Sequence, residues 1–528
     1  MLRTAGELGL GAAVAIPLLN AVLTISIRGG KASRRSAALA WLGAVGALVA
    51  LVSVALHGNY LVGLPAGNSL LQLRADRLTA TLALFIAGVG ALVKSFSVRY
   101  LSQDGMAWRF AAGADLVVAS MTVVATASNI TLLAIAWIGA GISFAAVLGY
   151  RRDLPGVSRA ARMALWHFVG GDAALAIAVA IVVAKLGNLK LGGGPTLAQA
   201  AERLGWAAIP VAALITLAAL TRSAQGPMGR WLPASIAAPT PTSALLHAGV
   251  VNGGGILLIR MAGLAQSSAW VAGAGLAIAV GTASIATRLM RHRADVKGEL
   301  AYSTVAQMAF MTAEASVGAY LATLVHLMSH GAFKASLFLS SGSRVRRGRG
   351  AGAHRSESSA TAKIFAATVA TAAGAAALAA TLLVGNGAAH RGGEVLAAFV
   401  VATAASAAWT FTRHIPEALW AVIAGVAMVI VASFAYAGSV VLLGQWMAPS
   451  VPTPAHGVLA PMWLLALAAV SAMVALAGRT RRLGASLTAW SIDAATATAA
   501  RERVPGFLLS LRGGAGEQAA ELEEGDAA

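Results

Sequence analysis

The chain has 528 residues, 58% of them hydrophobic and only 11% charged, with no cysteine and a formal charge of +19. This composition describes a polytopic membrane protein and excludes a soluble globule, disulfides, iron–sulfur clusters and cysteine-ligated metals. The positive charge does not point to nucleic acid, because Lys and Arg sit in short clusters between apolar runs and no nucleic-acid-binding motif occurs.

In chain order, apolar runs predict about fifteen membrane helices. They fall at 8–27, 36–56, 78–98, 110–127, 130–149, 161–184, 207–221, 241–263, 270–290, 299–317, 319–342, 361–386, 393–412, 418–443 and 460–478. The first run has no basic leader and no small-residue cleavage site, so no cleavable signal peptide is expected. The runs are rich in Ala and Gly, which suits close helix packing in lipid.

Loops after odd-numbered runs hold most of the basic residues, among them Arg28, Arg34, Arg35, Lys94, Arg99, Arg109, Arg151, Arg152, Arg288, Arg291 and the cluster from Arg344 to Arg355. Loops after even-numbered runs hold only Arg74, Arg77, Lys185, Lys190, Arg203 and Arg391. The positive-inside rule then puts the N-terminus outside and the C-terminus in the cytoplasm. Four regions are expected: N-terminal spans 1–77, a core 78–343, C-terminal spans 344–482 and a partly disordered cytoplasmic tail 483–528. The Gly-rich connection from Lys185 to Trp206 reads as an exposed outer loop. The basic cluster from Arg344 to Arg355 reads either as a docking surface or as a contact with lipid headgroups.

Ionisable residues interrupt the apolar pattern in three stretches. From 220 to 260, Pro227, Pro233, Pro239 and Pro241 with Gly226 and Gly229 predict a broken helix near 222–240. Broken helices at membrane depth need protein or a wet cavity to satisfy the freed backbone. Arg222 therefore lies either deep or in a plain cytoplasmic loop, and His247, Asn252 and Arg260 follow it. From 288 to 314, Asp295, Lys297 and Glu299 flank a membrane entry, and Glu314 lies deeper or at the outer interface.

The third stretch, 321–339, carries His326, His330 and Lys334 at i, i+4 and i+8, one face of a helix. They cover roughly 12 Å of a ~30 Å hydrocarbon core. Such groups normally face a protein interior or wet cavity and serve ion or proton movement. A plainer reading has the histidines bonding neighbouring helices and Lys334 snorkelling to an interface. Asp115 and Asp172 are further carboxylates inside runs, where pairing with a cation or holding a proton is expected. Asp76 reads as a structural residue at the start of the third run. No phosphate loop, dinucleotide fingerprint or metal-ligand set occurs, so no cofactor and no resident metal are expected.

Three segments resemble a known family: Ala238-Pro-Thr-Pro-Thr-Ser-Ala-Leu-Leu-His-Ala, Leu300-Ala-Tyr-Ser-Thr-Val-Ala-Gln-Met and His330-Gly-Ala-Phe-Lys-Ala-Ser-Leu-Phe-Leu. They are similar to the antiporter-like proton-translocating family of respiratory complex I membrane-arm subunits and multisubunit sodium/proton antiporters. The likeness runs from about Asp76 to Ser343. It implies an all-α polytopic membrane protein of about 13–15 transmembrane helices with antiporter-like inverted repeats. It also implies that 78–343 is the proton-translocating core and that the chain is a transport subunit, not an enzyme.

Within that family, His247-Ala-Gly-Val-Val-Asn-Gly-Gly, Glu314 and a shortened C-terminal region resemble the DabB-type membrane subunits of energy-coupled inorganic carbon pumps. This implies a bacterial inner (plasma) membrane location and protons or sodium as the coupling ion. The implied partner is a large soluble DabA-like subunit, akin to a β-carbonic anhydrase with its own zinc. By matching positions, His247, His326, His330 and Lys334 stand at the central proton path, Asp172 in the Gly-Asp of the sixth span, and Arg222 where the family usually has lysine. Ile138 follows Trp137 where respiratory members carry glutamate, and arginine is a poor proton carrier. The long lateral helix of the respiratory subunit has no room. The alternatives are a subunit of a sodium/proton antiporter, of a respiratory NADH-quinone oxidoreductase or hydrogenase complex, or a non-transporting scaffold.

Overall fold

The computed structural model describes residues 2–63, 69–192, 194–291, 293, 295–350, and parts of 427–452, chiefly 442–447 and 449–452. The forecast spans 361–386, 393–412 and 460–478 and the tail 483–528 lie outside the described residues, as does most of 418–443. Within them the chain is almost wholly helical. Helix α1 (Leu2–Ile27) and α2 (Gly29–His57) form a close antiparallel pair. Gly9 and Gly46 face each other across it, and a Cβ on either would strike the other's carbonyl. Small residues at such a crossing let backbones approach, the main source of helix affinity in lipid.

A short antiparallel hairpin follows, β1 (Tyr60–Gly63) with β2 (Gln72–Ala75), in the register Tyr60 opposite Ala75. Asp76 ends it by capping α3 (Arg77–Tyr100): its carboxylate accepts from the Thr79 amide while Thr79 Oγ1 accepts from the Asp76 amide. The structural role read for Asp76 is therefore visible, reinforced by an Arg74 ion pair at 2.8 Å. Helices α4 (Ala107–Thr126), α5 (Ile130–Leu148) and α6 (Val157–Leu186) continue the bundle, with Asn129 capping α5 through the Leu132 amide.

The connection 185–206 departs from the expected open loop. It contains α7 (Gly194–Leu204), in which Leu197, Ala200, Ala201 and Leu204 are buried. That i, i+3, i+4, i+7 pattern gives the helix an apolar face, which it packs on a later turn of the chain.

The break arrives where the prolines predict it. Helix α8 (Ala208–Arg222) stops at Arg222. Short turns and α9 (Trp231–Ala234) carry the chain to α10 (Thr240–Leu245), and a second interruption at 246–252 precedes α11 (Gly253–Arg260) and α12 (Ala262–Ala265). Side chains take up the freed backbone groups. Trp231 Nε1 donates to the Thr221 carbonyl at 3.1 Å, the Gly226 amide donates to Thr282 Oγ1 at 2.9 Å, and Asn252 Nδ2 donates to the His247 carbonyl at 3.2 Å. This is the condition under which irregular backbone survives at membrane depth.

Helix α13 (Ala269–Arg291), α14 (Val296–Ser316) and α15 (Tyr320–Gly350) complete the described core, with α14 packed against both neighbours. Among the described residues, eight helical stretches are long and apolar enough to cross a membrane, by length and composition. The other forecast spans fall on the broken α10–α12 segment, on the polar-residue-bearing α14 and α15, or outside the described residues. Lys94, read as a loop charge, is instead 2% exposed inside α3, where it forms an ion pair with Asp115 of α4. An apolar run of helical period holds it there, and the loop begins only at Leu101.

Candidate functional site

The α14–α15 seam aligns two polar stripes. His326, His330 and Lys334 lie on one face of α15, and Ser303, Gln307 and Glu314 lie at i, i+4 and i+11 on α14. Both spacings keep a single helix face, so antiparallel packing pairs them in reverse order. His326 Nδ1 donates to Glu314 Oε2 at 3.1 Å, His330 Nδ1 to Gln307 Oε1 at 2.8 Å, and Lys334 Nζ to Ser303 Oγ at 2.8 Å. All three α15 groups are buried, and Lys334 at 2% exposure does not snorkel. Glu314, at 1% exposure, is buried within the protein.

The second chain break delivers His247 to this seam. Its ring centroid lies 5.2 Å from that of His330, edge to face, and it stacks on Phe338 at 5.4 Å. His326 and His330 are 6.0 Å apart by ring centroids. Among the described residues neither ring nitrogen of His247 has a hydrogen-bond partner, nor does His330 Nε2. Gly331 permits the approach: a Cβ there would lie 2.9 Å from the His247 carbonyl and 3.0 Å from Asn252 Nδ2, and would collide with the Phe85 ring. The result is a buried row, Glu314–His326–His330–Lys334, with His247 beside its middle. It contains donors, acceptors and unpartnered ring nitrogens, with neighbouring imidazole centroids 5.2 and 6.0 Å apart.

Arg222 and Asp172 form a separate centre. Arg222 is 1% exposed, so the plain cytoplasmic-loop reading fails for it. Its Nη2 donates to Asp172 Oδ1 at 2.7 Å and to the Trp137 carbonyl at 3.1 Å. Its guanidinium lies 4.3 Å from the Trp137 ring centroid and 4.7 Å from that of Phe168. Gly141 leaves room for the pair, since a Cβ there would lie 2.8 Å from Asp172 Oδ2. Ile138 stands where the resemblance implies glutamate, and Asp172 of α6 supplies a carboxylate to the cation instead. A planar fork held by a carboxylate and two rings suits arginine and not lysine.

The structure brings all seven expected site residues into two clusters, His247, His326, His330, Lys334 and Glu314 in one, and Arg222 with Asp172 in the other. Ser303, Gln307 and Lys94 were missed. For Ser303 and Gln307 the signal was present, because they sit eleven and seven residues before Glu314 on its own helical face. Lys94 was masked by its place near a run's end.

Residues 127–358 match the family model described as NADH:quinone oxidoreductase/Mrp antiporter, TM, and residues 66–111 match that of the N-terminus of complex I chain 5. The chain is 34% identical over 288 residues to the probable inorganic carbon transporter subunit DabB1 of Halothiobacillus neapolitanus, covering 53% of this chain and 50% of that protein. It is 33% identical over 297 residues to NADH-quinone oxidoreductase subunit L of Mycobacterium tuberculosis, covering 55% and 46%. The chain spans about half the length of these relatives. Among solved structures, the Mrp complex from Dietzia sp. DQ12-45-1b superposes with a TM-score of 0.60 at 22% identity, over 99% of this chain and 60% of that one. The membrane-bound sulfane sulfur reductase, an archaeal respiratory complex, superposes at 0.56 and 17% identity, over 93% and 97%. At these identities the two structures share the fold.

Proposed function

For a multi-pass membrane protein that carries the antiporter-like domain of complex I and Mrp subunits, we propose the role of ion-conducting subunit in an energy-coupled inorganic carbon uptake complex with a large soluble DabA-like partner. The observation that carries the ion-conducting part is the buried row Glu314–His326–His330–Lys334 with His247 beside it. Five ionisable groups in one seam are costly in lipid and are kept where charge moves. The DabB1 likeness supports the carbon substrate and the partner. The charge bias of the loops supports an inner-membrane orientation with the N-terminus outside and the C-terminus in the cytoplasm. Residues 78–343 form the translocating core in this reading.

In the mechanism, protons move along the row by exchange between imidazole nitrogens and the Lys334 amine. Glu314 holds the positive charge of a protonated His326, and Gln307 orients the His330 ring. His247 is a side store reached from His330. Arg222 and Asp172 frame the path as a fixed pair and do not exchange protons. One charge crossing 100 mV supplies about 2.3 kcal/mol, enough for one or two protons to drive substantial bicarbonate accumulation.

The test is accumulation of labelled bicarbonate in cells expressing the chain with its soluble partner, before and after an uncoupler. Uptake that needs both proteins, collapses with the uncoupler and is lost in Lys334→Ala with assembly intact is expected. Uptake that survives Lys334→Ala overturns the relay. Sodium- or redox-dependent proton movement without bicarbonate uptake selects the second reading, an antiporter or respiratory subunit, which the subunit L relative and the Mrp fold favour.

A further inference from the structure

Lys94 and Asp115 pair in the interior of α3 and α4, away from both clusters described above. Both are nearly inaccessible, at 2% and 1% exposure. A hydrogen-bonded line leads away from them. Ser36 Oγ of α2 donates to Asp115 Oδ2 at 2.9 Å, and Asn20 Nδ2 of α1 donates to the Ser36 carbonyl at 3.0 Å and to Ser36 Oγ at 3.3 Å. Asn20 is 1% exposed, yet its Oδ1 has no partner among the described residues. It is a free acceptor at the end of the line.

The depth of these groups is set by the helices. Asn20, Ser36, Lys94 and Asp115 each lie six to eight residues from the helix ends joined by the α1–α2 and α3–α4 connections. At 1.5 Å per residue that is about 10 Å below one face of the bundle. Helix α3 links this site to the seam, because Phe85, nine residues before Lys94, packs at Gly331 beside His330. The two sites are therefore about 13 Å apart along α3.

We infer that Lys94 and Asp115 form a second proton-exchanging site, which passes protons between the α14–α15 row and the face at the α1–α2 and α3–α4 connections; the inference rests on the proton-conducting reading above. The chemistry separates this pair from Arg222–Asp172. A lysine can give up its proton in a buried site, whereas an arginine does not. In the exchange, one Lys94 Nζ–H bond breaks and one Asp115 Oδ1–H bond forms, leaving a neutral amine and a neutral carboxyl. The pair has no net charge before or after, so the step adds no uncompensated charge to the interior. The carboxyl then turns to present its O–H to Ser36, whose hydroxyl gives its own proton to a water hydrogen-bonded to Asn20 Oδ1 as it takes the carboxyl proton, so that Asp115 returns to a carboxylate. The neutral amine takes one proton from the interior, which restores the ion pair. One proton enters and one leaves.

Other charges do not intervene. Arg34 and Arg35 on α2 and Arg99 and Arg109 on α3 and α4 are exposed, and Asp104 is engaged by Arg151 at 2.9 Å. Helix α5 has no titratable residue, Arg260 of α11 donates to the Ala127 carbonyl at the far end of α4, and His247 belongs to the seam.

The deciding variant is Lys94→Arg, measured as proton flux in proteoliposomes holding the full chain with its partner. Arginine keeps the ion pair with Asp115, so a purely structural role survives it. Proton exchange does not, and a loss of about a hundredfold in flux, typical of a missing acid–base group, is expected with unchanged thermal melting. Ser36→Ala is the milder companion, with flux slowed and the fold kept. If Lys94→Arg misfolds, unchanged flux in Ser36→Ala overturns the inference. Full flux in a folded Lys94→Arg overturns it directly. Lys334→Ala separates the two claims: flux lost there but kept in Lys94→Arg sinks this site alone, whereas flux kept in Lys334→Ala sinks the underlying reading.

Discussion

The α14–α15 seam and the Arg222 box are both buried, both charged and both at a break or crossing of helices, but they are built on opposite terms. In the box one cation is held by Asp172, the Trp137 carbonyl and two aromatic rings. Every strong contact fixes a charge that arginine never loses. In the seam His326, His330 and Lys334 are each hydrogen-bonded to α14, and the rings of His247 and His330 keep nitrogens without partners among the described residues. Groups held by one bond can rotate and exchange, whereas a group held by four contacts cannot. The difference assigns rigidity to the box and movement to the seam, although composition alone ranks Arg222 and Lys334 as equivalent membrane cations.

The largest expected effect breaks the box. Asp172→Ala leaves Arg222 buried without its carboxylate, and removing one partner of a buried pair costs about 3–5 kcal/mol. Unfolding of the purified protein in detergent should show that loss, and no comparable loss in His326→Ala. Equal losses in the two variants would end the contrast between box and seam. A middle effect is expected at Gly331, where the α15 backbone meets Phe85, the His247 carbonyl and Asn252. Gly331→Ala overpacks that crossing at a cost of about 2 kcal/mol. It should also slow proton flux by pushing His247 away from His330, and unchanged flux in a destabilised variant would remove His247 from the path.

How much of this was legible beforehand depends on how many helices each feature needs. His326, His330 and Lys334 share one helix, and their spacing alone put them on one face. The break after Arg222 was written in Pro227, Pro233 and Pro239, since no regular helix passes through them. The pairings were not legible, because each joins helices distant in sequence: Arg222 with Asp172, Lys94 with Asp115, His326 with Glu314. Lys94 illustrates the reason. Near the end of an apolar run a lysine looks like a loop charge until the neighbouring helix shows a carboxylate at the same depth. The helix α7 was hidden by the Gly-rich sequence before it, although its Leu197, Ala200, Ala201 and Leu204 already had helical spacing.

The smallest effect sharpens the comparison most. Ser303 Oγ accepts the hydrogen bond of Lys334 Nζ, and no other hydrogen bond of that amine is seen among the described residues. Ser303→Ala removes the acceptor and leaves the fold's apolar packing intact. The net contribution of an ordinary hydrogen bond is about 1 kcal/mol, but one made to a charged group contributes about 1.5–3 kcal/mol. A lysine that exchanges its proton spends part of its time uncharged, so the expected loss of stability is near the lower figure and should vary with pH. A loss near 3 kcal/mol at every pH would describe a permanently charged Lys334, fixed like Arg222. The seam would then differ from the box in geometry but not in function, and the relay would have to bypass its own terminal amine.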